Sequence, residues 1–388
     1  MNEVFYNKNT NNWQHPNQQW RFGDGAVVIG NTSDSYRFVV QQKQNRLGPL
    51  VGIFTSGTAS GKVYGDFKRF SAIQRELQKQ GGISFIFTPF GLSEQTIEGY
   101  VRLENGKWRK CMFPYPDVVY NRIPYRSHEQ KQEVQHTFTL LSHKGIPVFN
   151  PSFFSKWEIY KAFRENPNLQ KHLLDTVPLY IKDDLAASLA MHKTIYIKQS
   201  ESTKGKHIFQ AAQHGAKLLV KDSSGKRDFV PFEDMWARIA HSNKLYIAQN
   251  TLIHDEQNGR KYDLRIVAHF LGGAFHISGI GVRLGAKGSI VTHVPNGGEI
   301  LHVENLSRPI RYEILKTLVR QCGKSLCDHF GRVREFSLDI GVDQTGHYYI
   351  FEANAKPMVF DETAIERAVM RNLTAVFAEE AGFSPLMT

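Results

Sequence analysis

The stretch Phe336 to Pro357, FSLDIGVDQTGHYYIFEANAKP, constrains this chain more than any other. Phe336, Leu338, Ile340 and Val342 alternate with Ser337, Asp339 and Gly341, the period-two pattern of a half-buried strand. His347 to Asn354 alternates likewise, and Asp343-Gln344-Thr345-Gly346 between the two runs has turn chemistry. The spacing predicts a hairpin in which Val342 pairs with His347, which places Asp339 opposite Ile350 and diagonal to Glu352. Residues two apart share a face, so Asp339, Glu352 and Asn354 converge. Two carboxylates and an amide are hard oxygen ligands suited to Mg²⁺, which fills its other positions with water and phosphate oxygens. A solvated acidic face is the bland reading of such a hairpin. Three oxygen side chains on a face where apolar residues are expected favour the metal and imply a nucleotide, with phosphate binders elsewhere in the chain.

At 388 residues the chain is long enough for two or three domains. No run of about 18 apolar residues could span a membrane. The Asn/Gln-rich N-terminus MNEVFYNKNTNNWQHPNQQW has neither the basic start nor the apolar core of a signal peptide, so a cytoplasmic location is expected. The same polarity predicts that residues 1 to about 20 fray. Cys111, Cys322 and Cys327 are too few for a disulfide framework or a four-ligand zinc site. The net charge of +11, from 48 basic and 37 acidic residues, permits a polyanionic ligand, but its cations are scattered and no nucleic-acid module is recognisable. Nucleic-acid binding therefore ranks last.

Four regions follow. Residues 1–46 form an extension with a small β-element, and residues 47–150 alternate strand and helix as an open, largely parallel α/β sheet. Gly57 to Lys62 is no P-loop, because three residues rather than four separate its glycines and Val63 follows the lysine. Residues 151–245 carry a helical segment from Ser155 and the strand TIYIK, which ends in Lys198 and enters a polar loop holding Ser202, Thr203, Lys204 and Lys206. Residues 246–388 are α+β, with Arg265 and Arg283 on strands and a helix from about Arg311 to Phe330 before the hairpin. The arginines suit phosphate or carboxylate recognition as well as surface pairing.

Taken in order, Lys156, IKQSESTKGKHIF, AQNTLI, YDLRIV, GVR, SIVTHVPNGG and the closing hairpin resemble the ATP-grasp proteins, and within them the YheC/YheD group associated with the endospore coat of bacilli. The resemblance covers about residues 47 to 375. It implies an ATP-grasp fold, with an N-terminal α/β domain followed by two α+β subdomains that clasp ATP. By position it implies that Lys156 and Lys198 reach the nucleotide phosphates, with Lys204 and Lys206 in the covering loop. Gln249, Asn250, Thr251 and Leu252 would form the hinge whose backbone contacts adenine. Arg265 and Arg283 would serve the phosphate and acceptor site as catalytic residues. Asp339, Glu352 and Asn354 would hold Mg²⁺, with Asn296 in a bordering loop.

The implied chemistry is ATP- and Mg²⁺-dependent activation of a carboxylate to an acylphosphate, followed by attack of an amine or thiol. The implied partners are ATP, an unidentified carboxylate and nucleophile, and components of the spore coat. Two departures stand out: the covering loop keeps one glycine, Gly205, and Met358 replaces the family's glycine after Lys-Pro. They open an alternative, a catalytically weak or inactive member with a nucleotide-binding or structural role in the coat.

Overall fold

The computed structural model describes residues 1–16, 19–30, 34–202, 207–292 and 297–385. The first strands, Asn2–Asn7, Asn12–His15 and Trp20–Phe22, join three more up to Gly48 in a closed six-stranded barrel. The N-terminus therefore does not fray. Val4, Tyr6, Trp13, Trp20 and Phe22 are buried inside, and the Trp13 ring packs on Phe22, Phe38 and Phe113. A few aromatics at alternating positions outweigh a polar average composition, because each buries far more apolar area than its neighbours. The asparagines serve the turns: Asn7 Oδ1 accepts from the amides of Asn9 and Thr10, and Asn11 takes a positive φ of 53°.

Strand Leu50–Phe54 opens the next sheet and pairs in parallel with Ile83–Phe87 and Val118–Asn121, while Ile97–Arg102 and Trp108–Phe113 extend one edge antiparallel. Helix Phe67–Lys79 starts at Asp66, whose side chain accepts from the Arg69 amide. It lays Phe70, Ile73 and Leu77 against this sheet and touches the C-terminal helix Thr363–Glu380. The loop Gly57 to Val63 closes on itself through a bridge between those two residues, as a turn rather than a phosphate cradle.

A second antiparallel sheet, the lid, runs in the order Thr176–Leu179, Tyr246–Asn250, Thr194–Gln199, Ile208–His214, Lys217–Asp222 and Arg227–Pro231. Tyr246–Asn250 is hydrogen-bonded inside it, so the chain leaves the lid after Asn250. The third sheet runs Glu299–Leu301, Ala274–Leu284, Arg260–Leu271, Glu335–Val342 and Tyr348–Asn354, backed by helix Tyr312–Phe330. Cys322 lies buried on that helix as a packing residue. No helix among the described residues is long and apolar enough to cross a membrane.

The hairpin forms, with a different register. Asp343 Oδ1 accepts from the Thr345 and His347 amides, the loop extends through His347, and Val342 pairs with Tyr348. A β-bulge at Phe351 then advances the partner strand by one residue, so Asp339 stands directly opposite Glu352 rather than Ile350. Simple inward counting misses this because a bulge sets two residues against one. Its effect is to turn Phe351 and Glu352 toward the same cleft.

Candidate functional site

Register brings the polar side chains of the third sheet together. On Arg260–Leu271, Arg265 lies opposite Asp339 and Asp263 lies opposite both Arg283 and Gly341. Asp339 in turn faces Glu352, so Asp263, Arg265, Arg283, Asp339 and Glu352 share one face. Gly341 leaves room on that face: a Cβ there would lie 2.1 Å from the Phe351 ring. The lid lies over it with Tyr196, Lys198 and Gln249, bordering a cleft of about 760 Å³ that is open to solvent on one side. Leu174, Ile208, Leu252, Ile290 and Phe351 give the cleft apolar walls suited to a flat ring, and Lys156, Lys198, Arg283, Asp339 and Glu352 line it as well.

The two lysines hold different positions. Lys156 begins helix Lys156–Arg164, capped by Ser155, and its Nζ donates to Ser202 O at 2.6 Å and lies 3.4 Å from Glu352 Oε1. Lys198 Nζ donates to Gln249 Oε1 at 2.6 Å. Burial, reinforced by the Lys156 charge, pushes the Lys198 ammonium down to about 8, and burial does the same to Lys261. A phosphate held at Lys198 would favour its charged form, so binding of a nucleotide there would take up a proton once that amine titrates. Affinity is expected to hold below about pH 8 and to fall by about tenfold per unit above it, measured by calorimetric titration with ADP. An affinity unchanged across that range would contradict the placement of Lys198 at the phosphates.

Asp339 and Glu352 face each other, with Asn354 two residues on, and their cationic neighbours engage them only loosely, Arg265 Nε standing 3.9 Å from Asp339 Oδ1. Among the described residues no cluster of three or more His, Cys, Asp or Glu makes a metal centre. Two carboxylates completed by an amide oxygen fit a hard divalent cation that takes its remaining ligands from phosphate and water.

Sequence reasoning missed part of the cleft. Asp263 is half-buried; Thr292 donates to its Oδ2 at 2.5 Å, its Oδ1 has no hydrogen-bond partner, and His254 Nδ1 stands 4.0 Å away. Burial pushes Asp263 up to about 6 and His254 down to about 4. The available signal was alternation: Asp263 is two residues before Arg265 and must share its face. Of the hinge residues, Gln249 and Leu252 line the cleft. Asn250 sends its amide to Asp175 O, and the Thr251 hydroxyl faces Thr194 O at 3.4 Å. Lys204, Lys206 and Asn296 lie outside the described residues.

Behind the carboxylates the N-terminal α/β domain is clamped to the third sheet. Lys356 Nζ donates to Ile123 O at 2.9 Å, to Asn121 Oδ1 and to Glu129, so it fastens the end of the hairpin rather than serving the cleft. Four residues before Asp339, the buried Glu335 binds Arg69 Nη2 at 3.0 Å and the Tyr120 hydroxyl at 2.5 Å, with His269 Nε2 3.4 Å away. Burial alone would raise Glu335, but His269, Arg69 and Arg122 outweigh it and hold the carboxyl at about 2.

A family model described as YheC/D like ATP-grasp matches residues 145–378. The endospore coat-associated protein YheD of Bacillus subtilis (strain 168) is 31% identical over 338 residues, covering 80% of this chain and 73% of that protein. Two solved structures share the fold at 12% identity and a TM-score of 0.51: D-alanyl-alanine synthetase A from Vibrio cholerae O1 biovar eltor and VanG D-Ala:D-Ser ligase from Enterococcus faecalis. Each alignment covers 86% of this chain and 98% of the other. Matched by the family model over residues 145–378 and 31% identical to that relative, this chain belongs to the YheC/D-like ATP-grasp family.

Proposed function

We propose that the chain is an ATP- and Mg²⁺-dependent carboxylate ligase that works through an acylphosphate. The observation that carries this reading is the direct apposition of Asp339 and Glu352 at the mouth of a cleft that also holds Lys156 and Lys198. The apolar walls around Leu252 and Phe351 receive adenine, and the unpartnered Asp263 Oδ1 accepts from a ribose hydroxyl. Lys156 and Lys198 hold the phosphates, and Arg283 faces the charge that builds on the transferred group.

Mg²⁺ would be held by Asp339, Glu352 and Asn354 and would offset phosphate charge. The acid is placed by Arg265. Its oxygen bonds to the γ-phosphorus as the bond to the β,γ-bridging oxygen breaks, releasing ADP. An amine or thiol then bonds to the acyl carbon, the carbon–oxygen bond to phosphate breaks, and the nucleophile gives up its proton. The lid excludes water that would otherwise hydrolyse the acylphosphate.

By analogy with its curated relative, the protein acts in association with the endospore coat. A coat-associated role without turnover is the rival reading. Incubation with Mg-ATP, a panel of acids and hydroxylamine tests the choice: acid-dependent ADP release with hydroxamate formation supports ligation. Nucleotide binding with no acid-dependent ADP release across the panel supports the rival.

A further inference from the structure

A second cleft, of about 1280 Å³, opens where Asp339 and Glu352 meet the N-terminal α/β domain. Three guanidinium groups line it, from different elements: Arg265 on the third sheet, and Arg122 and Arg126 from the segment after strand Val118–Asn121. Their charges are poorly met by the protein itself. Arg265 is 6% exposed and its Nε has no hydrogen-bond partner. Arg122 reaches only Pro357 O and the Tyr120 hydroxyl, at 3.4 to 3.5 Å, and its nearest carboxylate, Glu335, is 4.0 Å away and already bound to Arg69. Arg126 donates to the carbonyls of Phe153 and Phe154, and no carboxylate among the described residues lies within ion-pair distance of it.

Lys356, which also borders the cleft, is neutralised by Glu129. The acidic side chain on the outer rim, Asp66, is exposed and caps a helix through Oδ1. Arg265 faces Asp339 and Glu352, the carboxylates of the ligation centre, whereas Arg122 and Arg126 are left without a carboxylate of their own. Glu335 and Asp339, beside Arg122 and Arg265 respectively, are four residues apart on one strand, roughly 13 Å. One small anion cannot meet both. The lining also has an apolar part, with Phe70, Phe153 and Met358.

We propose that the acid taken by this cleft is dianionic: the carboxylate to be activated lies at Arg265, an apolar spacer runs along Phe70 and Phe153, and a second anionic group ends at Arg122 and Arg126. This rests on Asp339 and Glu352 forming the ligation centre. It adds a selection rule that the nucleotide cleft does not contain, because a bidentate guanidinium contact discriminates strongly for a planar anion.

Calorimetric titration of the full-length protein saturated with Mg-ADP tests it, using adipate, suberate and sebacate against hexanoate, octanoate and decanoate. At one of these lengths the diacid is expected to bind at least about tenfold tighter than its monoacid, a difference of about 1.4 kcal/mol. Arg126→Ala is expected to erase that preference and Arg126→Lys to restore part of it. Phosphate esters of the matching ω-hydroxy acids form a further arm: tighter binding than the diacid, lost in the same variant, identifies the second anion as a phosphate. Mg-ADP affinity is measured in parallel for each variant, so loss of fold is recognised. Failure of the wild type to bind Mg-ADP would count against the ligase reading itself. Equal binding of mono- and diacids, no saturable binding of any diacid, or a preference that survives both Arg126→Ala and Arg122→Ala would overturn the inference.

Discussion

Replacing Asp339 by Asn together with Glu352 by Gln is expected to remove the Mg²⁺ dependence of nucleotide binding and to lower acid-dependent ADP formation by at least about a thousandfold, the loss of several kcal/mol of charge stabilisation. The sign of the metal-free effect is the sharper test. In the wild type Glu352 Oε1 lies 3.4 Å from Lys156 Nζ and Asp339 Oδ1 lies 3.9 Å from Arg265 Nε. Neutralising both carboxylates leaves those cations facing the cleft, so ADP without metal should bind as well as before or tighter. A variant that loses metal-free ADP binding in proportion to Mg-ADP binding would show that the two carboxylates support the cleft structurally instead.

Glu335→Ala is expected to cost about 3–5 kcal/mol, because it leaves the fully buried Arg69 guanidinium between two domains with only its longer contact to Glu366, 3.5 Å. In a chain of this size the melting temperature should fall by roughly 4–6 °C by scanning calorimetry. Glu335→Gln keeps an acceptor for Tyr120 and should lose less. The pH dependence carries the same signature. The folded carboxyl is held at about 2, below its ordinary range, so its contribution is complete above the unfolded value and disappears as pH falls through that range toward about 2. In Glu335→Ala this part of the acid limb should be absent. A shift under about 2 °C would mean that the Arg69 charge is met elsewhere.

The fold was legible where pattern and chemistry agree. Alternation located the hairpin, apolar runs located the strands around Arg265 and Arg283, and the order of the lysine, arginine and carboxylate segments pointed to the family that the comparisons establish. Three features were not legible. The barrel was hidden because its inward positions are filled by few, large side chains among many asparagines and glutamines. The bulge at Phe351 leaves no trace in a period-two pattern, yet it decides that Asp339 and Glu352 meet. The Glu335 cluster depends on contacts between domains far apart in sequence, Arg69 reaching across 266 positions to Glu335. Such pairings follow from topology, and local spacing does not encode them.

The cleft between lid and hairpin is proposed to bind a metal-complexed nucleoside triphosphate. Calorimetric titration of the full chain with Mg-AMPPNP tests it most directly, alongside Lys198→Ala and the Asp339→Asn, Glu352→Gln pair. One saturable site is expected, weakened at least about tenfold by Lys198→Ala, as fits loss of a buried charge-assisted contact worth about 1.5 kcal/mol or more. Absence of saturable binding to the wild type, or binding that both variants leave unchanged, would contradict the claim.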